Sequence, residues 1–486
     1  MAAALYDAAV SLHPLGAGTV SRYQGHKNTK KRRSRGFTLL RHERALWALA
    51  VILSIALLMA PALWNGFALL QWDTGGYLAR WYEGYLVPSR AVVYGLILNA
   101  GAPFAFWPVL LLQSTLTVWV LALTLRAHGL GRRPLLLLGA VAMLSALTTL
   151  PWLTSILLTD IFCGLGVLAL YLLLLRHDTV GRSERFGLIG LVAVAAATHN
   201  ATFAVLSGLI VVAALIAWLD DWRLPRPRLA GGCFAIVLGA GLVFAADYAV
   251  AGRLVWTPGG FALSFGRMLQ DGIVQKYLDR HCPDPALRLC AYKDQLPHDA
   301  DVWFWGSDLF DRLGRFAGLG EEMKTIAVGS IIDYPVLQIE TAAAASARQL
   351  VAVHTGEGVL NVIWHTYSII QHYTPRLVPA MRAARQQKGE ISFIAVNAFQ
   401  YPLALICMAL LPAVVWLGWR KALPAPIGEL AATVVLTLLG NAVVCGALAN
   451  PHDRYGARVV WLAGLVAVLA LAQMRATRLG PPVKPA

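Results

Sequence analysis

The sequence predicts an all-α polytopic membrane protein with about ten transmembrane helices and a mostly helical extracytoplasmic segment. Composition, the length of the apolar runs and the placement of charge support this fold class. Of the 486 residues, 58% are hydrophobic and only 14% are charged, too few charges to cover the surface of a soluble protein of this size. The apolar residues occur in runs of about 20, and a helix of that length crosses about 30 Å of hydrocarbon.

Ten apolar runs are predicted to span the membrane. The stretch 186–219 is long enough for one broken helix, but the polar residues Thr198, His199 and Asn200 in its middle favour a turn between two short ones. The ten predicted spans lie near residues 46–69, 105–125, 135–151, 158–175, 186–199, 201–219, 229–251, 392–418, 428–448 and 457–474.

Charge placement predicts the orientation of these spans. With a cytoplasmic N-terminus, the predicted inside segments carry 23 Lys and Arg residues against 7 Asp and Glu residues, and the remainder carries 18 against 19. Every short inside turn is basic, as expected for loops that stay in the cytoplasm. The net charge of +15 therefore indicates membrane orientation and attraction to lipid surfaces. It does not indicate nucleic-acid binding.

The spans divide the chain into five parts. Residues 1–45 form a basic cytoplasmic tail, which is expected to be disordered because it is rich in Gly, Ser, Lys and Arg. No cleavable signal peptide is expected, since the first apolar run is long enough to stay as an anchor. The other parts are an N-terminal membrane module at 46–251 with its first outer loop at 70–104, a periplasmic hydrophilic segment at 252–391, C-terminal membrane helices at 392–474, and a cytoplasmic tail at 475–486.

The hydrophilic segment (residues 252–391) has the composition of a folded domain, with 14 basic and 14 acidic side chains. Its apolar residues recur at helical spacing, which predicts a helical cap on the outer membrane surface. Gly318 and Gly320 are expected to end one helix before another begins at Glu321. Trp303 and Trp305 are candidates for a sugar-binding face, although packing is the commoner use of such aromatic side chains.

Six cysteines are too few for a disulfide scaffold, and four of them lie in or beside apolar spans. Cys282 and Cys290 differ because both fall in the hydrophilic segment. In an oxidising periplasm they are predicted to form a local disulfide. Two unpaired thiols in a reducing compartment are the alternative. A zinc site is disfavoured, since His281 is the only other good ligand nearby.

Ionisable residues recur where the predicted topology places helix ends at the outer surface. A charge at the bilayer centre costs about 2.5–3.5 kcal/mol, so the ionisable groups that are retained near a membrane tend to be functional. An acid, an imidazole and a guanidinium at one interface would suit a phosphate-bearing lipid. The alternative is that loop ends are polar in any membrane protein. The outer turns carry, in chain order, Asp73 with Tyr77 and Arg90; Asp160; His199; and His452 with Asp453, Arg454 and Tyr455.

In these places the sequence resembles the GT-C superfamily of membrane glycosyltransferases, which take sugars from polyprenyl-phosphate donors. The resemblance covers about 46–220 and 392–474, and the order and sidedness of its short motifs carry it. The motifs are Trp72-Asp73-x3-Tyr77 with Ser89-Arg90-x3-Tyr94, similar to the first outer loop of the family; Pro108 to Arg126 with Gln113; Leu157-Leu158-Thr159-Asp160, similar to its second acidic position; and Asp453-Arg454-Tyr455, similar to its late Arg-Tyr element.

The resemblance implies an enzyme, and the Ala-, Leu- and Arg-rich composition with this topology suggests a bacterial inner membrane and cell envelope. It would transfer a sugar, with inversion, from a polyprenyl-phosphate donor to a glycan, lipid or protein acceptor on the periplasmic face. Asp73 would be the general base. Arg454 and then Arg90 would bind the donor phosphate. The further candidates for substrate binding are Tyr77, Asp160, His199, His452 and Tyr455.

Metal dependence stays open at this stage. Thr74 follows Asp73, so the acidic pair of several branches of the family is absent. If the site uses a divalent cation, Mg²⁺ or Mn²⁺, Asp73 and Asp160 are the candidate ligands. The expected partners are the lipid-linked donor, the acceptor and the surrounding membrane lipids, with no nucleic acid.

Two other functions compete with glycosyl transfer. Ten spans with charges at the membrane edge also suit a transporter or flippase, but no inverted repeat and no acidic residue deep within a span is apparent; Asp247, near an outer helix end, is the closest candidate. A glycan polymerase or ligase is the third possibility, because such enzymes carry several arginines in a large outer loop. Arg376, Arg382 and Arg385 leave it open.

Overall fold

The computed structural model describes residues 28–131, 133–219 and 225–478. Regular secondary structure in these ranges is entirely helical, apart from an isolated parallel bridge between Leu69 and Ile156. This agrees with the predicted all-α fold class. Apolar side chains fill the contacts between the helices.

The helices fall into three groups along the chain. The N-terminal membrane module contains α1 (Asn28–Asn65), α2 (Trp72–Glu83), α3 (Val92–Gly101), α4 (Trp107–Ala127), α5 (Pro134–Leu147), α6 (Leu150–Ser155), α7 (Asp160–Leu175), α8 (Arg182–Thr198), α9 (Asn200–Leu219) and α10 (Leu229–Ala251). The hydrophilic segment contains α11 (Phe261–Gln270), α12 (Ile273–His281), α13 (Ala300–Gly306), α14 (Asp308–Arg312), α15 (Arg315–Asp333), α16 (Pro335–Val351), α17 (Trp364–Tyr373) and α18 (Val378–Ala383). The last group is α19 (Ile394–Trp419), α20 (Ala425–Ala447) and α21 (Asp453–Arg478).

Seven of the described helices are long and apolar enough to cross a membrane. The other three predicted spans coincide with shorter helices, α5, α7 and α8, which have 14, 16 and 17 residues. The predicted count of ten is therefore not confirmed. The predicted turn at His199 is present, because α8 ends at Thr198 and α9 begins at Asn200. The seven long helices are Glu43–Asn65 of α1, α4, α9, α10, α19, α20 and Asp453–Arg475 of α21.

The two predicted tails are only partly described. Residues 1–27 and 479–486 lie outside the described ranges. From Asn28 the chain is helical and continuous with the first long apolar stretch; disorder of the tail stays a prediction. A helix that extends from an existing one needs no new nucleus, and nucleation is the unfavourable step in helix formation.

The buried side chains form two main hydrophobic clusters. The larger cluster joins the apolar helices. The smaller lies within residues 262–327 and includes Trp303, Phe304 and Phe310. Buried residues between 359 and 384 belong to the larger cluster instead. The hydrophilic segment therefore has a core of its own and a second part that packs on the membrane helices.

The helix break predicted at Gly318 and Gly320 does not occur. A single helix, α15, runs through both residues from Arg315. A Cβ atom on Gly318 would lie 2.2 Å from the carbonyl oxygen of Leu313. Glycine is required there because the preceding turn approaches closely, and its effect on helix propensity is outweighed by packing.

The two tryptophans considered for a sugar-binding face have different environments. Trp303 is fully buried in the smaller cluster and packs against Phe310 at a centroid distance of 5.0 Å. Trp305 is 54% exposed, and its ring centroid lies 5.8 Å from Cζ of Arg90. Of this pair, only Trp305 is accessible to a ligand, and Trp303 is a core residue.

Cys282 and Cys290 form a disulfide, which is the first of the two alternatives that the sequence left open. The bond joins the end of α12 to the following 3-10 helix (Arg288–Gln295). Cys163 and Cys445 are unpaired and buried.

A short backbone pairing aligns the stretch before Asp73 with the stretch before Asp160. The N–H of Leu69 donates to the carbonyl of Ser155, and the N–H of Leu157 donates to the carbonyl of Leu69, both at 3.0 Å. The hydroxyl of Thr74 also donates to the carbonyl of Leu157 at 3.0 Å. The two stretches are thereby fixed side by side where they leave the helix bundle.

Because the two tryptophans differ in burial, their replacement is expected to lower the stability of the protein by different amounts. Trp303→Ala should lower the free energy of unfolding by about 3–5 kcal/mol, because it leaves a cavity in the smaller cluster. Trp305→Ala, the matched control, should cost less than about 1 kcal/mol. Unfolding of the purified full chain, followed by circular dichroism in detergent, measures both. Equal losses would contradict the assignment of Trp303 to the core.

Candidate active site

Asp73 lies in the first turn of α2, and side chains of the same turn cap the helix. Oε1 of Gln71 accepts the N–H of Asp73 at 2.7 Å, and Oγ1 of Thr74 accepts the N–H of Gln71 at 3.0 Å. This reciprocal capping box fixes the geometry of the turn. The unpaired N–H groups at a helix N-terminus also favour a carboxylate nearby. The local sequence therefore positions Asp73 as an ionised side chain at a helix end.

Gly75 and Gly76 give neighbouring groups access to this turn. A Cβ atom on Gly75 would lie 2.7 Å from Cα of Thr366 in α17, and one on Gly76 would lie 3.1 Å from Nε of Arg90. Because both side chains are absent, α17 packs directly against α2 and the side chain of Arg90 lies across the helix. Glycine is therefore required at position 75, and the space beside Gly76 is occupied by the side chain of Arg90.

The carboxylate of Asp73 accepts hydrogen bonds from two guanidinium groups that come from distant parts of the chain. Arg90, which precedes α3, donates from Nη2 to Oδ1 of Asp73. Arg454, in the first turn of α21, donates from Nη1 to Oδ2 of Asp73 at 2.5 Å. The three side chains are 11%, 14% and 15% exposed, for Asp73, Arg90 and Arg454 respectively. The cluster is largely buried but still reachable by a small polar group.

The two guanidinium groups determine the ionisation of Asp73. Burial alone would raise its pKa, but the charges of Arg454 and Arg90 outweigh burial and lower the pKa from 3.8 to about 2. Asp73 is therefore a carboxylate at every physiological pH, and a weak base while both arginines are bound. A ligand that attracted the arginines away would increase its basicity.

Two tyrosines flank the arginines. Cζ of Arg90 lies 5.8 Å from the ring centroid of Tyr77, and Cζ of Arg454 lies 4.8 Å from that of Tyr455. Arg454 also donates from Nη2 to the hydroxyl of Tyr455 at 3.2 Å. Stacking on aromatic faces favours the cationic groups and limits their movement. Burial raises the pKa of Tyr77 to about 12, so its hydroxyl remains protonated at neutral pH.

The hydrophilic segment contributes Glu357 to this cluster. Oε2 of Glu357 accepts the backbone N–H of Arg454 at 2.7 Å, and Oε1 lies 2.7 Å from Nδ1 of His452. The next residue, Gly358, has a φ of +75°, and a Cβ atom on it would lie 2.3 Å from Nε2 of Gln71. The loop is therefore fitted between α2 and the N-terminus of α21, and it holds Arg454 in place.

A second group of polar side chains lies deeper, one helical turn along α21. Arg458 is fully buried, and its Nε and Nη2 donate to Oδ1 of Asn441 at 3.1 and 2.7 Å. Its Nη1 lies 3.4 Å from Nδ1 of His199 and 3.9 Å from Oδ1 of Asp160. A charge buried among apolar helices needs such partners. Asp160 and His199 are thus joined to Arg454 through the next turn of its own helix.

The structure brings together all eight residues that the sequence singled out as catalytic or substrate-binding. Two further members were missed. Arg458 could have been found, because it follows Arg454 by four residues in an apolar helix and therefore shares its face. Glu357 has no local signal, since its role depends on a loop that returns from the hydrophilic segment. The eight residues are Asp73, Tyr77, Arg90, Asp160, His199, His452, Arg454 and Tyr455.

The residues at this site do not fit a divalent cation. Each carboxylate oxygen of Asp73 accepts a guanidinium N–H, and Asp160 faces Arg458. Mg²⁺ and Mn²⁺ prefer several oxygen ligands around one point. Among the described residues no group of three His, Cys, Asp or Glu side chains is placed to hold a metal ion.

A partly open cleft lies on the other side of Arg90. Its walls are mainly apolar, with polar side chains from four separate stretches of the chain. The lining residues are 86, 87 and 89–93 before and in α3, Ala197, His199 and Asn200 at the turn between α8 and α9, Val243 and Asp247 in α10, and residues 256–258. Arg90 belongs both to this cleft and to the ion pair with Asp73.

The three arginines that left a polymerase or ligase open are not part of the cluster. Arg385 pairs with Glu390 and donates to the carbonyl of Trp64. Arg376 and Arg382 are exposed. In the described part of the chain, none of the three is hydrogen-bonded to Asp73.

Comparison with protein-family models, with curated proteins and with solved structures gives no match for this chain. The chemistry of the cluster itself is therefore the basis for assigning a function.

The pair formed by His452 and Glu357 predicts a pH dependence of stability. Burial alone would lower the pKa of His452, but the hydrogen bond and charge of Glu357 raise it above 6.5. Burial alone would raise the pKa of Glu357, but its bond with His452 lowers it below 4.5. The pair therefore stabilises the protein most between pH 4.5 and 6.5. Its contribution is lost as the pH rises through the raised pKa of His452, and also as it falls through the lowered pKa of Glu357.

We expect the thermal unfolding temperature of the full chain to fall as the pH is raised above 6.5. The fall should be smaller in His452→Gln, because the glutamine side chain cannot ionise. His298→Gln, in the hydrophilic segment, is the control and should keep the wild-type slope. Differential scanning fluorimetry at a series of pH values measures this. A His452→Gln variant with an unchanged slope would contradict the role of the pair.

Proposed function

We propose that this protein is a membrane glycosyltransferase that takes a sugar from a polyprenyl-phosphate donor. The observation that carries the proposal is Asp73 held between Arg90 and Arg454, which come from opposite ends of the chain. A carboxylate beside two guanidinium groups provides a base next to a phosphate site. The resemblance of these motifs to the GT-C superfamily supports the same reaction.

The pairing around Asp73 favours an anionic ligand. Arg90 and Arg454 both pair with the single carboxylate of Asp73. Two guanidinium groups therefore share one negative charge in a largely buried site. Guanidinium groups bind phosphate through two parallel hydrogen bonds. A phosphodiester would supply a second negative charge and compete with Asp73 for both arginines.

This competition links donor binding to catalysis. As the phosphate takes up hydrogen bonds from Arg90 and Arg454, the carboxylate of Asp73 loses its stabilising charges and its pKa rises toward the ordinary value. Asp73 then accepts the proton of the acceptor hydroxyl as that oxygen attacks the anomeric carbon. The bond from the anomeric carbon to the phosphate oxygen breaks with inversion. The arginines stabilise the charge that develops on the departing phosphate.

The proposal includes a position in the membrane. We place the protein in a bacterial inner membrane, with both termini cytoplasmic and the hydrophilic segment periplasmic, because the basic residues gather on the predicted inside. The helices α5, α7 and α8 would cross with the seven longer ones, since buried helices within a bundle need not match the full bilayer thickness. The Asp73 cluster would then lie at the periplasmic interface, where a lipid phosphate is found.

A transporter is the second candidate, and one observation favours it. Arg458 is fully buried within a long apolar helix, and intramembrane charges often mark substrate or ion pathways. Reconstitution in liposomes separates the two functions. A flippase would move a lipid-linked sugar between leaflets without changing its covalent bonds, whereas a transferase would release the sugar from the phosphate.

Replacement of Asp73 tests the base. In a strain that lacks this protein, the wild-type chain should restore a glycan or glycolipid, and Asp73→Asn should reduce its formation at least about 100-fold, because the proton acceptor is lost. Glu340→Gln, on the exposed face of α16, is the control and should behave as wild type. Glycolipid and glycan profiling by mass spectrometry measures the product. Full product formation by Asp73→Asn, at equal amounts in the membrane, would remove Asp73 from the mechanism.

Replacement of Arg454 tests the phosphate site. Binding of farnesyl phosphate to the purified full chain should weaken by about 10–100-fold in Arg454→Ala, because a charge-assisted hydrogen-bonded pair is removed. Arg382→Ala, at an exposed position of the hydrophilic segment, should leave the affinity unchanged. Isothermal titration calorimetry in detergent measures the dissociation constant. Equal affinities of wild type and Arg454→Ala would exclude this arginine from phosphate binding.

A further inference from the structure

The cleft beside Arg90 contains a carboxylate that the proposed mechanism does not use. Asp247 lies near the end of α10 and is only 6% exposed, yet no described residue donates a hydrogen bond to it or pairs with it. A carboxylate without a partner among apolar helices is unfavourable. Its position in the wall of a cleft leaves its oxygens open to hydrogen bonds from a ligand.

An aromatic side chain is fixed in the same cleft. The ring of Trp256 is half-buried and makes edge-to-face contacts with Phe203 at 4.6 Å and with Phe244 at 5.8 Å between centroids. These contacts hold the ring in one orientation. Trp256 therefore offers a rigid apolar face close to Asp247.

The turn between α8 and α9 adds hydrogen-bonding groups to the cleft. Nδ1 of His199 accepts the N–H of Ala201 at 3.2 Å and lies 3.4 Å from Nη1 of Arg458. A ring nitrogen that faces two donors carries no proton, so the proton of His199 is on Nε2. The imidazole is thus a neutral donor, and the neighbouring Asn200 also lines the cleft with both a donor and an acceptor.

We propose that this cleft binds a neutral sugar ring. A sugar presents hydroxyl groups at its edge, which a carboxylate, an amide and an imidazole N–H can bind, and C–H groups on its face, which pack against an indole. A mostly apolar cleft with a few convergent polar groups is typical of small-ligand sites. Because Arg90 lines the cleft and also bonds to Asp73, the ring would lie next to the proposed phosphate site.

The ring has two possible sources, the sugar of the donor and the sugar of a glycan acceptor. Both present the same hydroxyl chemistry to Asp247. The catalytic role of this sugar site rests on the proposed glycosyl transfer. Sugar binding itself is measured without turnover.

The test is saturation-transfer-difference NMR on the full chain in lipid nanodiscs. The probes are the methyl glycosides of glucose, galactose, mannose, N-acetylglucosamine and arabinose. Saturation should pass from the wild-type protein to at least one of them. The affinity of that glycoside should fall at least about tenfold in Asp247→Asn, because hydrogen bonds to a charged group are lost. Glu340→Gln is the matched control and should bind as wild type does.

Two results would overturn the assignment: no saturation transfer to any glycoside, or equal affinities of wild type and Asp247→Asn. If Asp247→Asn does not fold, as judged by its melting temperature, Trp256→Leu replaces it and should also weaken binding. A protein that binds glycosides but transfers no sugar would refute the proposed function and leave the cleft assignment standing. An active transferase whose Asp247→Asn variant keeps glycoside affinity would refute only the cleft assignment.

Competition identifies the source of the ring. A farnesyl phosphoryl derivative of the best-bound sugar should displace the methyl glycoside if the cleft holds the donor sugar, and this displacement should weaken in Arg454→Ala. If the cleft holds the acceptor, the two probes should bind together.

Discussion

Asp73 depends on two arginines that are 17 and 381 positions away in the chain. A carboxylate with 11% exposure among membrane helices would be strongly unfavourable without partners, as would either guanidinium. Their mutual pairing makes burial possible for all three. It therefore requires α2, the turn before α3 and the start of α21 to meet at one end of the bundle, and the rest of the structure satisfies this requirement.

The surrounding contacts show how the requirement is met. The backbone pairing between Leu69 and the 155–157 stretch fixes the entry to α2. The loop with Glu357 supplies an acceptor for the N-terminus of α21. Close contacts at Gly75 and Gly358 leave no room for side chains between these elements. The hydrophilic segment is consequently a structural part of the site, and its removal would expose Arg454.

The same pairing has a chemical consequence. A base whose pKa is lowered to about 2 is inactive as long as its partners remain. If a phosphate replaces those partners, the base becomes effective only when the donor is present. Such coupling would limit proton transfer in the unliganded site. It is a direct result of using the same guanidinium groups for two anions.

The sequence by itself determined the helical class, the apolar stretches and most of the polar residues at the site. These features follow from hydropathy and from the position of Asp73, Asp160 and Arg454 at helix ends, which are local properties. It did not reveal Glu357 or the role of Gly318. Only the tertiary structure decided these, because each depends on which distant segment packs against the residue. Burial, pairing and close approach are properties of that packing and not of the local chain.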